Sequence, residues 1–594
     1  MSNDAADSRP WFDSARPSAE RLDLLLREMT LEEKAGQLFH AMITAGAGGT
    51  LADAEPAFGL PSNEGFIADL KLTHFNLFGA QESASDIARW HNALQQRARA
   101  TRLGIPVTIS SDPRNHFSDN PGAAILSGPF SQWPEPLGLA AIRDADLVAR
   151  FADIARQEYT AVGIRVALHP QVDLATESRW ARQLQTFGED AQLTAELGAA
   201  YIRGFQGDAL GTTSVATMTK HFPGGGPQQD GEDPHFEYGR EQVYPGGQFD
   251  LHLIPFEAAF AAGTSQIMPY YGMPVGTEHD EVGFAFNKSV ITGLLREHYG
   301  FDGIVCADWG VINDRPIMGH PYPARAWGLE HLTPHERLVA ALEAGVDQFG
   351  GEFCPELVIS VVRDGLVSED RIDVSVRRLL REKFTLGLFD DPFVDVSAAD
   401  RIVGNADFRA AGDAAQRASV TILTNTATDA AGPVLPLRTG LRLYVEGIAP
   451  EVVAAYGTLV ETPAEADAAV LRLHAPYELR GTPFEDFFHA GSLDFPADVL
   501  AHVGEVAAQV PTVVDVFLDR PAILGPLTAV AAAVVANWGV SSSALLDVLT
   551  GAAVAQGRLP FDVPRSMAAV EASRPDVPFD TEDPLFRFGH GLTL

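Results

Sequence analysis

Gly303-Ile304-Val305-Cys306-Ala307-Asp308-Trp309-Gly310 is a short apolar run, bounded by glycines, that hands an acidic side chain and an indole to its own C-terminal end. Taken alone it has two readings. Asp308 could cap a following helix, because Asp readily accepts backbone N–H groups at a helix start. Alternatively it is a reactive carboxylate at the open end of a parallel barrel strand, where helices cover the sides and only the loop face is free. Trp309 would then be a platform for stacking a sugar ring. Recurrence decides between them. Runs of the same kind, apolar and ending in polar groups, occupy 75–79, 105–112, 166–173, 215–221, 266–271 and 345–347. Amphipathic segments lie between them at 141–159, 193–205, 256–262 and 289–298. Strand and helix alternating at roughly 30 to 60 residues per unit mark βα repeats around a parallel sheet. About seven or eight units by residue 390 predict a (β/α)8 TIM-like barrel rather than a doubly wound sheet with its nucleotide fingerprint.

Outward from the barrel the boundaries are legible. Thr30 and Glu33 have capping-box spacing, and Leu31, Ala35, Leu38 and Phe39 follow at helical period, predicting a helix through Phe39. A helical pattern over 371–384 is stopped by Gly387 and Pro392. New alternating runs at 419–423, 441–445, 468–473 and 513–518, with an apolar helix-like stretch at 529–535, predict a second α/β layered domain. The expected organisation is an N-terminal extension (1–20), the barrel (21–390), a linker (391–410) and an α/β sandwich domain (411–594).

Composition narrows the function. The 594 residues exceed what one core supports. A formal net charge of −36 disfavours nucleic-acid and other phosphate-rich partners. Cys306 and Cys354 are the only cysteines, so no disulfide framework or C-x-x-C site is expected. Residues 1–10 carry no apolar leader core, and no stretch reaches the roughly 18 apolar residues of a membrane span, so the expectation is a cytoplasmic enzyme with no membrane partner. Gly224-Gly225-Gly226 and Gly46-Ala47-Gly48-Gly49-Thr50 lack the Lys-Ser/Thr of a phosphate loop. His221, Asp233 and His235 match no compact metal motif, so neither metal nor cofactor is expected. The strand ends instead gather Asp112, Asp173, Lys220, His221, Tyr270, Tyr271, Asp308 and Trp309: paired acceptors for vicinal hydroxyls beside aromatic faces, which suits a polyhydroxylated ligand.

Lys220-His221-Phe222-Pro223-Gly224-Gly225-Gly226, Arg179-Trp180-Ala181-Arg182 with Gly188-Glu189-Asp190, and Gly300-Phe301-Asp302-Gly303 leading to Asp308-Trp309 together resemble glycoside hydrolase family 3. Met29-Thr30-Leu31-Glu32-Glu33-Lys34 near the start and Phe588-Gly589-His590-Gly591-Leu592 at the end extend the resemblance over nearly the whole chain. It implies a retaining exo-β-glycosidase acting on a carbohydrate or glycoside, with β-glucosidase the expected activity. β-N-Acetylglucosaminidase and β-xylosidase are the alternatives within the family. A non-catalytic carbohydrate-binding protein, which would not need Asp308, is the alternative outside it, and a homodimer is compatible with the reading.

The resemblance also implies roles. Asp308 matches the nucleophile and Trp309 the aromatic beside it; Asp112 matches the carboxylate that grips sugar hydroxyls. Arg182 matches the second arginine of its motif, and Lys220 with His221 the hydroxyl-binding pair. Tyr271, with Tyr270 as rival, matches the tyrosine near the nucleophile, while Arg179 and Glu189 read equally well as a salt-bridge scaffold. Retention needs a proton donor about 5 Å from the nucleophile, across the bond. In two-domain members that donor is a glutamate on a loop of the second domain, which points to Glu478, just past the run at 468–473, with Glu485 as rival. In the single-domain glucosaminidase branch it is an Asp-x-His dyad, and Asp233-Pro234-His235 lies in the corresponding loop, two residues beyond the usual spacing.

Overall fold

The computed structural model describes residues 9–55, 59–120, 122–426 and 432–593. Of the expected extension and leader-free start, residues 1–8 lie outside the described residues. Eight strands close into an all-parallel barrel: β1 (Phe39–Ile43), β2 (His74–Leu77), β3 (Thr108–Ser111), β4 (Ile164–Ala167), β5 (Ala216–Phe222), β6 (Gln266–Pro269), β7 (Ile304–Ala307) and β8 (Gln348–Gly350). β8 pairs back onto β1 through Phe39 opposite Phe349. These strands are buried almost throughout, so their side chains show no alternation of apolar and polar positions.

The first strand overturns the helical reading of Phe39. Thr30 and Glu33 do form the capping box, but the helix Leu31–Gln37 stops two residues short of it. Leu38 turns the chain directly into β1. The segment expected as a linker is largely helical: Val396–Ile402 and Ala406–Ser419, the latter crossing the expected boundary at residue 411. The first of these is tied to the barrel by the Asp400 carboxylate, which accepts the Ser85 N–H.

The second domain is a six-stranded sheet comprising β9 (Thr421–Asn425), β10 (Arg442–Glu446), β11 (Thr458–Leu459), β12 (Ala468–His474), β13 (Thr512–Phe517) and β14 (Ala533–Asn537), in the order β9-β14-β13-β12-β10-β11. Only the β9–β14 pair is antiparallel. The stretch 529–535 is not one helix. A short helix, Gly525–Val530, ends there and β14 starts at Ala533. One face of the sheet shares a core with the barrel, since Leu137, Ala141 and Leu184 pack in the same cluster as Val514, Val516 and Trp538. Glu189 adds a polar tie: its carboxylate accepts the N–H groups of Asp562 (2.6 Å) and Phe579 (2.7 Å). No helix among the described residues is long and apolar enough to cross a membrane.

Candidate active site

The C-terminal ends of the barrel strands converge on a pocket of about 270 Å³, close to the lower bound of roughly 300 Å³ for small-molecule sites. Its floor is polar and its wall apolar. Asp308 follows β7 directly and does not cap a helix; the next helix, Pro334–Ala344, is capped by Thr333. Its Oδ1 accepts hydrogen bonds from the Tyr271 hydroxyl (2.9 Å) and the Trp309 N–H (2.7 Å). Its Oδ2 has no hydrogen-bond partner and faces His221 Nε2 at 3.8 Å. Two bonds on one oxygen fix the carboxylate plane and leave the other free to react. The Trp309 indole lies on Gly350 and Gly351, where a Cβ would come within 2.4 Å of Cε3 and 2.7 Å of Cδ1 respectively, so side-chain-free backbone at the end of β8 is what admits the ring.

On the opposite wall, Asp112 at the end of β3 accepts from Asn76 Nδ2 (3.0 Å) and lies 3.5 Å from Lys220 Nζ. Lys220 and His221 belong to β5, and the peptide bonds Lys220–His221 and Phe222–Pro223 are cis. Burial lowers the Lys220 ammonium below its ordinary value, against the pull of Asp112. Asp173 orients His221: its Oδ2 takes the imidazole Nδ1 at 2.7 Å, and Oδ1 accepts the N–H groups of His221 and Gly225. Burial raises the Asp173 carboxyl to about 6 and drives His221 well below the ordinary histidine range, so His221 meets a ligand as neutral imidazole. Arg182 is 2% exposed and lines the pocket. It is held from behind by Gln171 Oε1 (3.2 Å) and Gln185 Oε1 (2.9 Å).

Tyr271, not Tyr270, touches Asp308. Tyr270 is fully buried, packs 4.4 Å from the His221 ring and directs its hydroxyl at Asp233 (3.5 Å). Arg179 and Glu189 form no pair. Arg179 binds Glu177 through Nε (2.9 Å) and Nη2 (3.0 Å), whereas Glu189 ties the domains.

Asp233 and His235 are brought to the same pocket as Asp308. His235 Nδ1 lies 2.6 Å from Asp233 Oδ1, which also accepts the His235 N–H (2.9 Å), and the imidazole lines the pocket. Burial lowers the His235 pKa, opposed by Asp233, and Asp233 itself lies below the usual carboxylate range because its partner outweighs its own burial. The ring is packed edge-on to Tyr271 (4.7 Å) and against Phe488 (4.5 Å), and Phe484 of the same loop lines the pocket. The second domain therefore meets the site with aromatic side chains.

Glu478 is not at the pocket. Beyond β12 the chain pairs Glu478 with Ala490 in an antiparallel bridge, and its exposed carboxylate accepts from the Ser492 N–H (3.3 Å). Arg520 anchors this turn by donating to the carbonyls of Pro476 and Ala490. Glu485 likewise stays on the outer side of its loop, bonded to Thr482 and Tyr238. Asn76, Arg325, Ile317 and Phe484 are among the pocket residues that were not singled out from sequence. Asn76 stands at a strand end that was recognised; the others come from long loops whose course no local pattern encodes.

The arrangement offers one free carboxylate oxygen, a carboxylate-bound imidazole and the cationic side chains of Arg182 and Lys220 on the same floor. Against known proteins, the glycosyl hydrolase family 3 N-terminal domain matches residues 30–382 and the family's C-terminal domain residues 333–594. A protein of Emericella nidulans named β-glucosidase C is 54% identical over 96% of this chain and 92% of its own. A periplasmic β-glucosidase/β-xylosidase of Dickeya chrysanthemi is 42% identical over 98% and 91%. The solved β-glucosidase from Listeria innocua in complex with isofagomine superposes with a TM-score of 0.75 at 22% identity, covering 97% of this chain and 83% of that one, a likeness of fold. With both family domains matched in order along the barrel and the sheet domain that follows it, the chain belongs to glycoside hydrolase family 3.

Proposed function

We propose that the protein is a retaining exo-acting β-glucosidase in which Asp308 is the nucleophile and His235, oriented by Asp233, is the acid/base. Asp308 Oδ2 attacks the anomeric carbon; the bond to the aglycone oxygen breaks, and that oxygen takes a proton from His235 Nε2. In the second half His235 removes a proton from water, whose oxygen displaces Asp308. Asp112, Arg182, Lys220 and His221 hold the sugar hydroxyls, and Trp309 stacks on the ring. The observation that carries the proton-transfer assignment is the shared pocket: His235 and Asp308 line it, and Glu478 does not. The small pocket volume favours cleavage of a terminal residue, and the names of the relatives favour glucose, with xylose the second sugar to try. A cytoplasmic location has the two free cysteines as its support, while the Dickeya relative is named periplasmic; fractionation of the native host decides.

The test is a set of single variants assayed on aryl β-glucosides, with β-xylosides and N-acetyl-β-glucosaminides beside them. His235→Ala should behave as an acid/base variant and Glu478→Ala as wild type. The reverse result would return the role to the second domain.

A further inference from the structure

A second cleft, of about 460 Å³, opens where the sheet domain meets the barrel, and it shares no lining residue with the active pocket. On one side are the last residues of β12, β13 and β14, namely His474, Phe517 and Asn537. The carboxyl ends of parallel strands in an open sheet are the usual place for a ligand, because loops diverge there and leave a crevice. The other side is barrel: Phe117 to Asn120 and Ala181, Leu184 and Gln185.

The chemistry of the cleft is selective. Asp519 is only 7% exposed; its Oδ2 is bound by His489 Nδ1, but its Oδ1 is buried with no partner. A buried carboxylate oxygen without a donor is costly unless something supplies one. Asp119 and Asp486 also line the cleft, whereas the charge of Arg472 is already taken by buried Asp515 (3.1 Å) and the Val540 carbonyl (2.6 Å). The balance is therefore acidic and repels anions. His489 is held flat against Tyr477, ring centres 3.7 Å apart, and Phe117 and Phe517 add apolar faces. Carboxylate acceptors beside aromatic faces suit a hydroxyl-rich, neutral ring.

Gln185 connects the two cavities. Its Oε1 accepts the Arg182 Nε–H at 2.9 Å, while the same side chain lines the cleft, with no partner for its Nε2 among the described residues. We propose that the domain-interface cleft is a second site for a neutral monosaccharide or short glycoside, which donates a hydroxyl to Asp519, accepts from Gln185 and so biases the placement of Arg182 in the active pocket.

The choice of D-glucose as probe rests on the β-glucosidase reading. Calorimetric titration of the full-length enzyme with glucose should give two sites per chain. Asp519→Asn, and independently the exposed Asp119→Lys, should weaken one of them at least tenfold and leave the other as in wild type. Kinetically, glucose should change kcat for an aryl β-glucoside at least twofold in addition to competing for the pocket, and both variants should keep the competition and lose the kcat effect. A single site that Asp519→Asn and Asp119→Lys leave unchanged, a second site untouched by both variants, or occupation by spermidine but not glucose would each overturn the proposal. If glucose binds only at the site sensitive to Asp519→Asn and not at one sensitive to Asp308→Ala, the cleft stands and the glucose reading of the active pocket falls.

Discussion

Replacing His235 by alanine separates proton transfer from the rest of the machinery. General acid–base groups contribute about 10²–10⁴-fold, or about 2.7–5.4 kcal/mol at 1.36 kcal/mol per decade. That loss should appear in kcat/KM for a phenyl β-glucoside, whose leaving oxygen needs a proton. A dinitrophenyl β-glucoside leaves as a stabilised anion, so its first step should be nearly spared. Its turnover should then stall at the glycosyl-enzyme, because the base for water is gone, and azide should restore it. Two features limit collateral damage: the N–H bond from residue 235 to Asp233 Oδ1 is a backbone bond that alanine keeps, and Arg182 still lies in Asp233's field. The pH profile is a second readout. The donor must be protonated in the free enzyme, and burial holds His235 below the ordinary histidine value. For poor leaving groups kcat/KM should therefore fall as pH rises through a value under 6.5, and that limb should vanish for the dinitrophenyl substrate. Asp233→Asn, which removes the charge opposing burial, should move the limb further toward acid. Equal losses on both substrates without azide rescue, in a variant that melts like wild type, would refute the assignment.

Asp308→Ala should abolish turnover of every aryl glycoside while leaving circular dichroism and melting intact; retention of more than a few per cent of activity, a drop of less than about thirtyfold, contradicts a covalent role. Gly351→Ala puts a Cβ 2.7 Å from Trp309 Cδ1 at a residue with φ of +69°, a clash and strain costing about 1–3 kcal/mol. It should lower Tm, shift tryptophan emission and raise KM, and unchanged values for all three would show that the indole is not seated by that backbone. Glu189 tests the tie between domains. Burial raises its carboxyl to about 8 from an ordinary value of 4.5, despite two accepted amide N–H groups. The native chain then holds a proton the unfolded chain has released, so this group makes stability fall as pH rises between those two values. Denaturant midpoints across that range should show a shallower decline in Glu189→Gln than in wild type, whatever the offset between the two proteins.

Much of the architecture was readable because six of the eight barrel strands overlap the runs that end in polar groups, while the run at 345–347 stops just short of β8. β1 escaped because Leu38 and Phe39 continue the helical spacing of Leu31 and Ala35, and Gly36 lies inside the helix rather than after its end. The same loss of punctuation merged the helix ending at Val530 with β14. At the site, Asp112, Lys220, His221, Tyr271 and Asp308 were found from strand ends, because barrel geometry brings such ends together whatever the loops do. Glu478 was expected by the same logic, and the structure places it outside the pocket. It follows a strand end of the second domain, but a pairing with Ala490 and the anchoring of Pro476 by Arg520 turn the loop outward, and both contacts join residues distant in sequence. The Asp233–His235 pair, visible as a motif, is brought to Asp308 by a loop whose path only the fold defines.

Phe484 and Phe488, reaching from one domain onto the imidazole of the other, divide the labour of the enzyme in an uneven way. On the proposed mechanism, every group that makes a bond or moves a proton stands on the barrel half of the chain. What the other half brings is dryness: it covers the His235 ring with hydrocarbon and shapes what stands beside it. A chimera carrying a sheet domain from another member would keep its reaction and exchange its taste for aglycones, which makes the aromatic loop, rather than the catalytic floor, the natural place for such enzymes to diverge.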